Sequence, residues 1–193
     1  MKYLLLYIIL FISIIFSQEN ESDKYHISLI IHENLINDFF SNMGSISGSG
    51  EAALIKYKWS LIEPKIDIQE DTILFISKIR LSVGELKTHK QVEGWVSAEY
   101  DQELNKVKLK VEEAKVILDL DIFGKNVVLK ELDIAHYFKK PFNLDGPKPM
   151  SDFVEFDLPN GDKRQISVKA DSSTMEIIDD AILVKTLLNF QKK

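Results

Sequence analysis

Cysteine is absent from the 193 residues, and that absence removes several chemistries at once. No disulfide scaffold, thiolate zinc site, iron–sulfur cluster, cysteine nucleophile or acylated lipoprotein anchor can be built from this chain. Glycine and proline are scarce, with 8 and 5 copies, while 45% of residues are apolar. Collagen-like and wholly disordered classes are thereby excluded. Positive charge is in deficit: 24 basic against 30 acidic residues give a formal charge of −6. Nucleic acid is not an expected partner of such a surface.

What the chain does have begins with an apolar run. Tyr3 to Phe16 is interrupted only by Ser13, Lys2 precedes it, and polar Gln18-Glu19-Asn20 follows Ser17. The run is shorter than the roughly 20 residues of a membrane-spanning helix. A basic start, a short apolar run and a small residue before polar sequence read as a signal peptide over 1–17, with a flexible leader over 18–24 and a single β-rich domain over 25–193. A retained anchor is the alternative. Export without cysteine favours a bacterial periplasm or exterior. Asn20-Glu21-Ser22 matches a glycosylation sequon but falls in the leader.

Beyond the leader, Tyr25, Ile27, Leu29 and Ile31 alternate as a strand. The period then changes: Leu35, Ile36, Phe39, Phe40 and Met43 share one face of an amphipathic helix. Gly44 to Gly50 reads as a flexible loop by composition. Strand patterns follow over Ile55 to Leu61 until Pro64 interrupts, over Ile66 to Ile68, over Thr72 to Val83, and over Val92 to Tyr100 after a polar connection at Glu85 to Gln91. From Val107 to Ile122 the apolar positions are odd up to Val111 and even from Ala114. Side chains alternate strictly along a strand, so a bulge or break is expected at Glu112-Glu113. A short helix is expected around Ile134 to Phe138, a connection over Asn143 to Met150, and a hairpin turn at Pro159-Asn160-Gly161-Asp162. The Thr72–Val83 run alone would extend about 40 Å, twice a typical strand. Long bulged strands favour curvature around an occupant. The expected fold is therefore α+β, a long, strongly curved antiparallel sheet wrapped around the N-terminal amphipathic helix.

Motifs for catalysis are missing. Gly48-Ser49-Gly50-Glu51-Ala52-Ala53 matches a dinucleotide-binding string but follows a helix rather than a strand. His26, His32, His89 and His136 form no close pair, so no metal site is expected from them. Asp119 and Asp121 share a face and suit calcium only with further oxygens. Glu93, Trp95 and Glu99 imitate a sugar-binding strand, without the cleft that a two-carboxylate enzyme requires. Lys106, Lys108 and Lys110 form a basic stripe, read as a solvated face or a contact for anionic headgroups. No enzymatic activity, cofactor or metal is expected.

The order of elements resembles the tubular lipid-binding (TULIP) superfamily of BPI-like proteins and small periplasmic relatives. His26-Ile27-Ser28-Leu29-Ile30-Ile31-His32-Glu33-Asn34-Leu35-Ile36-Asn37 resembles its opening strand into a helix. Tyr57-Lys58-Trp59-Ser60-Leu61-Ile62-Glu63-Pro64 resembles its aromatic strand ending in proline. The resemblance covers roughly Tyr25 to Phe123, enough for one unit. It implies an exported, non-enzymatic binder of a lipid or other hydrophobic molecule, in an apolar groove between helix and sheet. Leu35, Ile36, Phe39, Phe40, Trp59, Phe75, Ile79, Val96 and Leu118 are the expected lining residues. The same residues would equally fill a dry core. In that case the chain would be a structural or adhesion module of the cell envelope with a protein partner, presenting an apolar patch near Trp95. Transient contact with a membrane or envelope protein fits either reading.

Overall fold

Alternating apolar and polar residues over stretches of up to 17 residues dominate the chain. The computed structural model describes residues 25–52, 54–122, 124–148 and 152–192. The expected signal peptide and leader lie outside them. In chain order the elements are β1 (Ile27–His32), α1 (Glu33–Asn42), β2 (Ser47–Ala52), β3 (Ile55–Gln69), β4 (Thr72–Val83), β5 (Leu86–Asp101), β6 (Lys106–Ile122) and β7 (Lys125–Asp133). A 3-10 turn (Ala135–Phe138), β8 (Phe142–Asp145), β9 (Phe153–Asp157), β10 (Lys163–Ile178) and β11 (Ala181–Lys192) complete it. All pairings are antiparallel. One sheet has the order β1-β11-β10-β9; the other runs β2-β3-β4-β5-β6-β7, with β8 added beside β6.

The expectation of an α+β fold with a sheet wrapped around the helix is overturned. Strands hold 72% of the described residues and helix 9%, in two curled sheets with one short helix. Dimensions explain why. Ten residues of α1 extend about 15 Å, whereas the 17 residues of β6 extend about 55 Å. Such a helix covers part of one strand and cannot serve as the axis of the sheet. The larger sheet curls instead until β2 approaches β7, and the Trp59 ring meets Tyr137 at 5.5 Å.

Local irregularities bend these strands where the sequence changes phase. The expected bulge at Glu112-Glu113 is present: Trp95 pairs with Glu113 and Val96 with Val111, leaving Glu112 as the extra residue. Pro64 does not end a strand. It sits in a second bulge between Ile62 and Lys65, where a missing N–H is tolerated. Opposite that bulge, the buried Ser77 donates from Oγ to the Ile62 carbonyl at 2.9 Å. The hairpin turn after Pro159 and the short helical turn before Pro141 also lie where expected.

Three segments expected to be irregular are strands. Ser47–Ala52 pairs with β3, placing Gly48 opposite Trp59 and Gly50 opposite Tyr57. A Cβ on Gly48 would stand 2.8 Å from the Trp59 indole nitrogen, and one on Gly50 would overlap the Tyr57 hydroxyl. The two rings lie across the bare backbone and supply the packing that glycine lacks. Leu86 to Gln91 continues β5 after a two-residue turn, since Val83 pairs with Leu86. Phe142–Asp145 pairs with β6. Gly94 shows the tightest approach to backbone: a Cβ there would overlap the Glu113 carbonyl oxygen. Gly94→Ala is expected to destabilise by about 1–3 kcal/mol through overpacking, read as a lower urea midpoint by tryptophan fluorescence.

Buried residues from β1, α1, β3 to β7, the 3-10 turn and β11 form one contiguous core. The two sheets are tied together at the β10–β11 turn. Asp180 N donates to the Ile68 carbonyl at 2.9 Å, and Glu33 N donates to the Asp180 carbonyl at 2.9 Å. The first turn of α1 is thus capped by backbone rather than by its own N-cap residue, His32.

Candidate functional site

The helix is held by an unusual mimicry of strand pairing. Beyond the Pro64 bulge, one edge of β3 has no strand partner among the described residues. Asn37 Oδ1 accepts from Ile66 N at 2.7 Å, and Asn37 Nδ2 donates to Ile66 O at 3.0 Å. One turn earlier, Glu33 Oε2 accepts from Ile68 N at 2.9 Å. Two side chains four residues apart therefore satisfy a strand edge that would otherwise be open.

This docking splits the apolar arc of α1 in two. Ile36 and Phe40 turn inward and are buried. Phe40 packs edge-on against Phe75, Phe138 and Phe142 at centroid distances of 6.0, 5.6 and 5.1 Å. Leu35 and Phe39 stay 57% and 52% exposed. Across from them, β8 brings Phe142 to 4.9 Å from Phe39. The result is an apolar groove of about 440 Å³ lined by Leu35, Ile36, Phe39, Pro141, Phe142 and Leu144, with Asn143 as its polar member. That volume lies within the range of small-ligand sites.

Three of the expected lining residues, Leu35, Ile36 and Phe39, meet in this groove. Phe40, Trp59, Phe75, Ile79, Val96 and Leu118 are buried in the contiguous core. Pro141, Phe142 and Leu144 were not among the expected residues. The apolar spacing of Phe142 and Leu144 was a usable signal, masked by the prolines on both sides of them.

The other candidates are accounted for by local pairing. Lys106 pairs with Asp145, Lys108 with Asp101 at 2.7 Å, and Lys110 with Glu112 at 2.6 Å, so the expected basic stripe is neutralised. Asp119 pairs with Lys90 at 2.5 Å and Asp121 accepts from Gly124 N at 2.8 Å. Among the described residues no group of three or more His, Asp or Glu is placed to hold a metal ion. Glu93 and Glu99 are separated by six strand positions, about 20 Å, well beyond a glycosidase carboxylate pair.

The Lys90–Asp119 bridge joins β5 and β6 where they no longer pair, since their ladder covers only Gly94–Asp101 and Lys106–Ala114. The Lys90 hydrogen bond, aided by Asn126, holds the Asp119 carboxyl below the usual carboxylate range. Lysine partners likewise lower Asp101, Asp145, Glu63 and Glu112. A depressed folded-state pKa stabilises above the unfolded value and is lost as pH falls through the folded one. Stability is therefore expected to decline below about pH 4. Asp119→Asn should show a shallower decline in urea midpoint between neutral and acid pH.

No family model, curated protein or solved structure matches this chain.

Proposed function

We propose that this protein is an exported, non-enzymatic binder of a lipid or other hydrophobic molecule, held in the groove between α1 and β8. The observation that carries this reading is the divided helix face. The same ten-residue helix buries Ile36 and Phe40 yet leaves Leu35 and Phe39 more than half exposed along an apolar groove, where Phe39 meets Phe142 edge-on. Each methylene of an acyl chain moved from water into such a groove gains about 0.8 kcal/mol. Lys139 and Lys140, both exposed and without an ion-pair partner among the described residues, immediately precede Pro141 at the groove. They suit a ligand with an anionic head.

Organic extraction of the purified protein followed by mass spectrometry tests the reading. Co-purified lipid is expected, and several-fold less of it from the double variant Phe39→Asn/Phe142→Asn. Finding no lipid in either would overturn it. An envelope module with a protein partner is the second reading. It is favoured by β9, whose outer edge has no strand partner among the described residues while Phe153, Val154 and Phe156 are exposed. A protein partner taken up along that edge, with an empty groove, would select it.

A further inference from the structure

Two hairpin tips at one end of the larger sheet carry leucines that neither packing nor backbone preference explains. Leu54, in the β2–β3 turn, is 91% exposed and has φ +67°, a conformation normally given to glycine or asparagine. Leu86, directly after the β4–β5 turn, is 63% exposed. Lys58 pairs with Ser82 and Val83 pairs with Leu86, so both turns project from the same end.

Behind these tips the outer sheet face is basic. Lys58, Ser82 and Lys87 form one cross-strand row, and Lys56 lies two residues from Leu54. Lys56, Lys58 and Lys87 are exposed, and none has an ion-pair partner among the described residues. Ser49, Lys56, Lys58 and Ser82 line a shallow depression of about 700 Å³. Carboxylates at this end are Glu51, opposite Lys56, Glu85 in the turn, and Asp119 and Asp121, which share a depression with Leu86 and Lys87. Asp119 is paired with Lys90 and Asp121 accepts from Gly124 N. The contrast with Lys106, Lys108 and Lys110, all paired, marks this end as a concentration of free positive charge on a chain of net charge −6.

We infer that this end docks on an anionic phospholipid surface. Leu54 and Leu86 enter the boundary between headgroups and acyl chains, while Lys56, Lys58 and Lys87 meet lipid phosphates. Exposed leucines beside a basic collar combine the two attractions that hold proteins at a bilayer surface. A purely polar polyanion would use the lysines and leave the leucines without a role.

The absence of cysteine allows a site-specific test in the full chain. Leu54→Cys, Leu86→Cys and, at the distant β9–β10 turn, Asn160→Cys are each labelled with an environment-sensitive fluorophore. They are then titrated with phosphatidylcholine vesicles, with and without phosphatidylglycerol. A saturable blue shift is expected at 54 and 86 with the anionic vesicles only, and none at 160. Adding Lys56→Glu, Lys58→Glu and Lys87→Glu should raise the half-saturating lipid concentration by roughly a hundredfold. The glutamine versions of these changes, checked for intact fold by circular dichroism, should also weaken binding. No shift at 54 and 86, an equal shift with neutral vesicles, or indifference to both sets of lysine variants would overturn the inference.

Discussion

Replacing Phe40 by alanine is expected to destabilise the protein by about 3–5 kcal/mol, the range for truncating a large buried aromatic. Phe40 is 2% exposed and stands among Phe75, Phe138 and Phe142, so it joins the helix, the floor of the larger sheet, the 3-10 turn and β8. The cavity left behind would be enclosed by rings contributed by separate elements, and it collapses only if those elements move. Because Phe142 is also a groove wall, the variant should lose lipid along with stability. Urea denaturation followed by tryptophan fluorescence gives the first effect, and organic extraction gives the second. Phe39→Ala, by contrast, removes a half-exposed ring and should leave the urea midpoint nearly unchanged.

Asn37→Ala is expected to cost about 2–4 kcal/mol, because it strips both partners from Ile66 and leaves part-buried backbone groups unsatisfied. Asn37→Asp separates the two contributions. It keeps an acceptor for Ile66 N but loses the donor to Ile66 O, so its urea midpoint should fall between those of the alanine variant and the wild type. A helix held mainly by its apolar face would make the two variants alike and mild. The large difference expected here follows from the helix acting as a cover for a strand edge.

Much of the secondary structure could be read from local pattern. The 3.6-residue spacing of Leu35 to Met43 gave the helix, and the phase change at Glu112-Glu113 gave the bulge. Both signals depend on neighbours along the chain. The errors share the opposite origin. Ser47–Ala52 is a strand because Trp59 and Tyr57 cover its glycines, a relationship between segments. Leu86 to Gln91 has a polar outer face and partly covered inner positions, so alternation is weak there. Pro64 marked an end by local rules and proved to be a bulge closed by Ser77.

The groove was half legible for the same reason. Leu35, Ile36 and Phe39 announced themselves by helical spacing, but nothing local distinguishes the part of the arc that faces the core from the part that stays open. That division follows from Asn37 and Glu33 docking on β3, and from β8 pairing with β6 at Leu109. The lysine stripe is solvent-facing as read, but its pairing was not legible. Its neutralisation depends on Asp145, Asp101 and Glu112 arriving from a neighbouring strand, a strand end and a bulge.

Titration of the full chain with a fluorescent long-chain fatty acid, wild type beside Phe39→Asn/Phe142→Asn, bears most directly on the groove. Saturable one-site binding is expected for the wild type. The double variant, checked by circular dichroism to be folded at the assay temperature, should bind at least about tenfold more weakly, equivalent to a loss near 1.4 kcal/mol. Equal affinity in the two proteins, or no saturable binding by either, would contradict the assignment of α1 and β8 as a ligand site.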